Sequence, residues 1–245
     1  MRPLLSAIAF LTRVPVGRFA EYNAEDVGRS AGWFPVVGSL LGVVYCAFAF
    51  VLLGHLPMAL IAVLLVVAEA LLTGALHMDG LADTADGFGG GRSAEDVLRI
   101  MRDHAIGTYG GVALILLAAF KIAAFDALLW QPNWPHALIV IPALSRWSML
   151  LLTTSLPYAR QSQSAADGMG RAAMLWGTLS IVVLMVIAGQ ARGWFAAVAM
   201  VSVTSCFGLY CKRRIGGITG DTLGANLQLS ECAGLIVFLW TTQIA

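Results

Sequence analysis

Charge is scarce in this chain. Asp, Glu, Lys and Arg make up 12% of its 245 residues, roughly half the share usual in a soluble domain. Hydrophobic residues make up 59%, and the mean hydropathy is +0.81. That balance excludes an ordinary water-soluble domain. Basic tails and long polar linkers are also missing, and the net charge is +1, so nothing here would hold a nucleic acid. Cysteine is sparse. Cys46, Cys206, Cys211 and Cys232 lie in or beside apolar runs without paired-ligand spacing. They read as small buried hydrophobes, not disulfides or zinc ligands. What remains is one polytopic membrane domain over residues 1–245, with the lipid bilayer as its first partner.

The apolar runs give an all-α bundle of about seven spans plus short interfacial helices. They cover about Pro35–Leu53, Met58–His77, Thr108–Trp130, His136–Thr154, Ala173–Ala188, Trp194–Tyr210 and Leu227–Thr242, each near the ~20 residues a crossing needs. The start, MRPLLSAIAFLTR, is too short to cross and reads as an interfacial or re-entrant helix. Pro35 suits a first helical turn. Gly38 and Gly42 form a small-xxx-small pair that would let another helix approach. Trp130 and Trp134 look like interface anchors. If the runs alternate, one side receives Arg2, Arg13, Arg18, Arg29, Arg92, Arg99, Arg102, Arg160, Arg171, Lys212, Arg213 and Arg214, twelve of the fifteen basic residues. The other side receives Arg192 alone. Such asymmetry marks the first side as cytoplasmic, and it carries two segments, 78–107 and 211–228, in which the chemistry-bearing residues concentrate.

The first segment follows the second span, in EALLTGALHMDGLADTADGFGGG. Asp79, Asp83 and Asp86 are spaced by four and three, which stacks them on one helix face. Three carboxylates so close resist ionising together unless cations join them, and hard oxygen ligands select Mg²⁺, Mn²⁺ or Ca²⁺. Glu69 lies about 80° from Asp79 around an unbroken helix, so it could join the cluster's edge. The loop Gly87–Gly91, Gly89 and Gly90 included, could turn its N–H groups inward as a phosphate nest. Ser93 caps a short surface helix with an apolar side (Val97, Leu98, Met101) and a polar one (Arg99, Arg102, Asp103, His104). Two Mg²⁺ ions on such carboxylates could clamp a diphosphate. Arg99, Arg102, Lys121 and Arg146 could hold the remaining oxygens. Lys121 and Arg146 fall within spans, where an ionisable residue defaults to function; pairing with Asp126 or Glu231 is the structural alternative. Asp221, in GITGDTLGAN, either completes the metal site from a second helix or is simply a turn residue. Asn226 and Glu231 fall on other faces of that helix. His77 and His104 are both available as proton acceptors, and nothing selects one.

HMDGLADTADGFGGG, MRDHAIGTYG and GITGDTLGA, with FLTRVPV and WFPVVGSLLG upstream, together resemble the cobalamin (5′-phosphate) synthase family of adenosylcobinamide-GDP ribazoletransferases. The resemblance spans Phe10 to Glu231. It implies a multi-pass protein of the bacterial cytoplasmic membrane, active towards the cytoplasm and dependent on Mg²⁺. The implied substrates are adenosylcobinamide-GDP and α-ribazole or its 5′-phosphate. Attack by the ribazole hydroxyl would release GMP and form adenosylcobalamin or its 5′-phosphate, assembling the nucleotide loop of vitamin B12. Motif by motif, Asp79, Asp83 and Asp86 carry over as metal ligands, Glu69 and Asp221 less firmly, and Arg102 and Asp103 match the family's MRD. Met78 stands where some relatives carry an acid. So large a substrate requires a wide cytoplasmic mouth. A homo-oligomer is left open.

Three rivals share parts of the pattern. A CDP-alcohol phosphotransferase also carries an acidic Asp-Gly motif, but Leu-Ala-Asp follows Asp79-Gly80 here, where that family has Ala-Arg. A prenyltransferase would need a second Asp-x-x-x-Asp. A cation transporter would hold its carboxylates at mid-membrane, whereas the cluster here ends a helix.

Overall fold

A computed structural model describes residues 2–16, 24–103, 105–159, 170–189 and 191–240. The expectations for Arg18, His104, Arg160, the polar loop around 160–169 and the last residues of the seventh run lie outside that set. The described chain is helical: α1 (Arg2–Leu11), α2 (Ala24–Ser30), a 3₁₀ turn (Ala31–Trp33), α3 (Phe34–Leu52), α4 (Met58–Thr73), α5 (Leu76–Gly90), α6 (Ala94–Ile100), α7 (Thr108–Leu129), α8 (Trp134–Ser155), α9 (Arg171–Ala188), α10 (Ala191–Ile215) and α11 (Gly220–Leu239). Six helices are long and apolar enough to cross a membrane: α3, α7, α8, α9, α10 and α11. The count rises to seven if α4 and α5 form one broken span. This is a multi-pass membrane protein. Its outward residues are those of a lipid-facing surface, with Phe50, Leu71, Ile115, Leu175, Ile187 and Phe195 all exposed.

The second span is not continuous. Gly74 (φ 64°) and Ala75 (φ 57°) are both left-handed, and α5 leaves α4 at 91°. Glycine takes that conformation freely, but alanine does so at a cost. The unbroken helix that would have set Glu69 beside Asp79 therefore does not exist. Arg13 closes the break. Its N–H donates to the Leu72 carbonyl (2.7 Å) and its side chain lies where a Cβ on Gly74 would stand, a cation at the C-terminus of α4.

Helix ends sort as the alternation predicted. Cβ atoms on Gly38 and Gly42 would lie 2.2 Å and 2.3 Å from the carbonyl oxygens of Pro142 and Leu138, so α3 and α8 run antiparallel in backbone contact. Residues 157–159, just past α8, pair with Ile218 between α10 and α11. At the opposite end Arg192 Nη1 donates to Gln131 Oε1 (3.0 Å) and the Phe238 carbonyl (3.1 Å). The ends of α7, α10 and α11 meet there around one arginine. Trp130 is exposed, as an anchor would be. Trp134 is instead buried against Phe50, ring centroids 4.6 Å apart. Cys46 and Cys211 are buried, Cys232 is half-buried and Cys206 is exposed, all as free thiols.

Four charges meet deep in the bundle. Lys121 Nζ on α7 donates to Glu69 Oε1 (2.6 Å) and Oε2 (2.8 Å) on α4 and to Glu231 Oε2 (2.6 Å) on α11. Arg146 Nη1 on α8 donates to Glu231 Oε1 (2.5 Å). Ser145 Oγ adds a bond to Glu231 Oε1 and Gln228 Nε2 one to Glu69 Oε1. None of the four is more than 5% exposed. Two positive and two negative charges cancel, which is the condition for burying them at all. Both intramembrane cations thus take the structural pairing with Glu231. Lys121 spends all three ammonium protons, so it is corrected from phosphate ligand to tie between helices.

Two outcomes follow. Gly42→Val, whose side chain would enter the α8 backbone, should destabilise the protein by about 1–3 kcal/mol or more, read as an earlier thermal transition in detergent. Lys121→Met strands Glu69 while Glu231 keeps Arg146. It should cost about 3–5 kcal/mol, and Lys121→Met with Glu69→Gln should recover part of that loss.

Candidate active site

The acidic segment folds as α5, which crosses α11 so closely that side chains are excluded. A Cβ on Gly80 would lie 2.7 Å from the Asp221 carbonyl oxygen and 3.1 Å from its Cα, and one on Gly224 would lie 3.2 Å from the His77 Cα. Gly80 falls between Asp79 and Asp83, so this crossing delivers Asp221 to the same turn of α5. Asp79 is exposed, Asp83 and Asp221 half-buried, and both Asp83 and Asp221 are engaged by neighbours. Asp221 stands in the first turn of α11. Thr219 caps that turn, its Oγ1 accepting from the Thr222 N–H (3.2 Å) while Thr222 Oγ1 accepts from the Thr219 N–H (2.8 Å). Asp221 is therefore no turn residue but part of an ordered helix start, the end that favours negative charge.

Asp86 has a different task. Its Oδ2 accepts from the Gly107 N–H (2.7 Å) and its Oδ1 from the Gly110 N–H (2.8 Å). These are unpaired donors at the start of α7. A Cβ on either glycine would strike the carboxylate, which explains the GTYGG that opens α7. Asp86 is buried and anchors one helix to another. The signal was present in the glycines of GTYGG, though nothing in their spacing names Asp86 as their partner.

The glycine-rich stretch is not a nest. Gly87, Gly89 and Gly90 are helical residues of α5, whose N–H groups are spent inside the helix, and the Gly91 N–H returns to the Gly87 carbonyl (2.9 Å). What they expose is the carbonyl end, which repels phosphate. Their small size serves packing: Met101 lies over Gly87, the Tyr109 ring over Gly89 and Val97 over Gly91. Arg214 closes this end, Nη2 donating to the carbonyls of Phe88 (2.7 Å) and Gly91 (2.9 Å) with its guanidinium above the Phe88 ring. The basic stop of α10 thus holds the C-terminus of α5, a role sequence reasoning assigned only to sidedness.

On α6, Ser93 Oγ accepts from the Asp96 N–H (3.1 Å), the expected cap. Arg99 Nη2 donates to Asp96 Oδ1 (2.6 Å). That bond, aided by the Arg92 N–H, holds the Asp96 carboxyl below its usual range. Arg102 is exposed, and Asp103 closes a local turn by accepting from the Ala105 N–H (3.1 Å). Arg146 Nε and Nη2 have no partner among the described residues. Asn226 sits deep in the bundle, Nδ2 donating to Ser148 Oγ (2.9 Å), because α11 is continuous from Gly220 and surrounded on most sides. The boundary expected at Leu227 is corrected accordingly, and Asn226 is not at the surface. Glu69 belongs to the buried ion cluster, its carboxylate taken by Lys121 and Gln228. His77 is buried, and neither ring nitrogen has a protein partner.

Among the described residues no three His, Cys, Asp or Glu side chains gather as a ready metal cage. Magnesium does not require one, since it is commonly held by one or two carboxylates plus substrate phosphates. Asp79, Asp83 and Asp221 fit that mode, whereas Asp86 and Glu69 are occupied elsewhere. Two clefts open near the two ends of α5. One of about 450 Å³ lies at the α4–α5 break beside Thr12, Arg13 and Thr73. The other, about 600 Å³, lies between α6 and the end of α10.

Comparison with known proteins adds what geometry leaves open. Residues 3–239 match the family model described as cobalamin-5-phosphate synthase. Proteins named adenosylcobinamide-GDP ribazoletransferase are similar over nearly their whole length. One from Rhizobium meliloti (strain 1021) is 41% identical, covering 94% of this chain and 92% of the relative. One from Syntrophobacter fumaroxidans is 36% identical, covering 92% and 93%. One from Ralstonia nicotianae is 36% identical, covering 99% and 96%. No solved structure matches significantly. The transporter, prenyltransferase and CDP-alcohol readings fall with these matches: the chain belongs to the cobalamin-5-phosphate synthase family, a membrane-embedded transferase of the nucleotide-loop assembly step in cobalamin synthesis.

Proposed function

We propose that the chain joins α-ribazole, or its 5′-phosphate, to adenosylcobinamide-GDP at a Mg²⁺-dependent site on the cytoplasmic face of the bacterial inner membrane. The observation that carries this reading is the α5–α11 crossing at Gly80 and Gly224, which sets Asp221 against the turn bearing Asp79 and Asp83. The relatives' shared name supplies the substrates. The cytoplasmic side is supported by the basic residues at the ends of α6 and α10 and by Arg13 at the α4–α5 break.

In this reading Asp79, Asp83 and Asp221 hold the metal. When bound, it would neutralise charge on the diphosphate and on the departing phosphate. Arg102 and the uncommitted part of Arg99 steady the outer oxygens from α6. The ribazole hydroxyl oxygen forms a bond to the cobinamide-side phosphorus. The bond from that phosphorus to the bridging oxygen breaks, and GMP leaves with the electron pair. The hydroxyl proton is released at the carboxylate-lined surface. Asp86 contributes by fixing α5 to α7, so the loop carrying α6 returns to the same face. Substrate as bulky as a corrin would lie across the two clefts beside α5, its diphosphate over the aspartates.

Two outcomes test these roles. Asp83→Asn should lower Mg²⁺-dependent GMP release by about 10²–10³-fold and weaken Mn²⁺ binding followed by electron paramagnetic resonance without substrate. Unchanged Mn²⁺ affinity would remove Asp83 from the metal site. Asp86→Asn turns an amide N–H₂ towards one of two backbone donors. It should cost about 1–3 kcal/mol of stability yet leave Mn²⁺ affinity within a few-fold. Complete loss of Mn²⁺ from a folded Asp86→Asn protein would return Asp86 to the ligand set.

A further inference from the structure

The cleft between α6 and the end of α10 sets Glu95 and an apolar wall, neither of which the transferase reading yet uses, beside Arg99 and Arg102. Glu95 and Arg99 lie along one side of it, four apart on α6, with Arg102 in the turn just past the helix. Leu98 and Ile215 supply apolar wall. Ile215 packs with Val97 and Met101, and Phe88 and Ala159 join that cluster, so the wall comes from α6, α10 and the chain after α8, with α5 packed behind it. Arg214 pins this junction to the C-terminus of α5. Phe88 lies five residues beyond Asp83, about 7–8 Å along the helix axis. An elongated ligand with its diphosphate at the aspartates would therefore reach the cleft with whatever follows its outer phosphate.

We propose that this cleft seats the guanosine monophosphate half of the diphosphate substrate, and that Glu95 selects guanine. The inference rests on the transferase reading above. A purine is a flat apolar plate with a polar edge, and the cleft offers apolar wall beside charged groups. Guanine presents two donors on one edge, N1–H and the N2 amine, which a carboxylate can accept together, as arginine donates in parallel to the acceptors on guanine's opposite edge. Adenine has an acceptor at N1, which a carboxylate repels, and hypoxanthine lacks the second donor. Glu95 thus both attracts the right base and penalises the wrong one. Arg102, in the turn past the end of α6 and lining the same cleft, meets the phosphate. Arg99, half-committed to Asp96, lies between.

The test uses the full-length protein in nanodiscs, with adenosylcobinamide activated by GDP, IDP or ADP, and separately GMP binding by equilibrium dialysis. The intact protein should prefer the guanosine substrate. Glu95→Gln keeps the shape but replaces one acceptor by a donor. It should lower kcat/KM for the guanosine substrate by roughly 10-fold or more, with a far smaller change for the inosine and adenosine substrates, and weaken GMP binding in parallel. Arg102→Ala should weaken GMP and IMP binding equally, leaving the base preference intact. A Glu95→Gln protein that keeps both its guanosine preference and its GMP affinity overturns the assignment while leaving the transferase reading standing. An intact protein that binds GMP but releases none from adenosylcobinamide-GDP overturns the transferase reading, and GMP affinity in Glu95→Gln still decides the cleft.

Discussion

Four ionised side chains shut inside a membrane bundle must either cancel or not be there. Lys121, Arg146, Glu69 and Glu231 come from α7, α8, α4 and α11, so neutrality fixes the relative depth of four helices at once. Slide α11 by one turn and Glu231 leaves both of its cations. A displaced cation or carboxylate then stands alone in a low-dielectric interior, a far greater penalty than any lost van der Waals contact. Between apolar helices in lipid, the hydrophobic effect sets no such register, because lipid tails and leucines are equivalent solvents. The ion cluster supplies the register that oily surfaces cannot.

That register is what the surface site requires. Asp221 occupies the first turn of α11, and its backbone touches α5 at a glycine with no clearance for a methyl group. Glu231 sits ten residues, about 15 Å, further along the same continuous helix. A rigid rod held at Glu231 presents Asp221 at one height only. The other partner, α5, is held twice near its C-terminal end: Asp86 binds the start of α7, and Arg214 binds the carbonyls of Phe88 and Gly91. Charged residues therefore serve two purposes in this chain. Those deep in the bundle set heights, and those at its end include the aspartates proposed to hold the metal.

Much of this was legible from residue order. The runs around Pro35, Thr108, His136, Ala173 and Trp194 became helices close to their expected bounds, because apolar length is read directly. The sorting of arginines to one end held among the described residues for the same reason. What could not be read was long-range partnership. Glu69 looked like a member of the aspartate cluster because a helix was extended through Gly74-Ala75, where the chain turns left-handed and Arg13, distant in sequence, packs into the break. The glycines from Gly87 looked like a phosphate loop because glycine signals both turns and close packing, and Met101 and Tyr109 decide for packing. Lys121 offered two readings, function or pairing, that were evenly balanced until Glu69 and Glu231 came within 3 Å. Asp86 shared its spacing with Asp83, yet the fold gives one to a helix start and leaves the other at the crossing.

The break between α4 and α5 reconciles the two environments. A segment with three aspartates in eight residues cannot remain in hydrocarbon, yet it must stay attached to a bundle whose depth is fixed by Glu69 on α4. Turning by 91° immediately after α4 satisfies both demands. Glu69 stays below with its lysine, while the aspartates run across the end of the bundle, where α11 begins and α7 begins. Helix starts are electropositive and supply free N–H groups, so an acidic helix laid across them is stabilised by both. The same geometry leaves open space near the two ends of α5. A straight second span would have had room for neither those clefts nor the contact with Asp221.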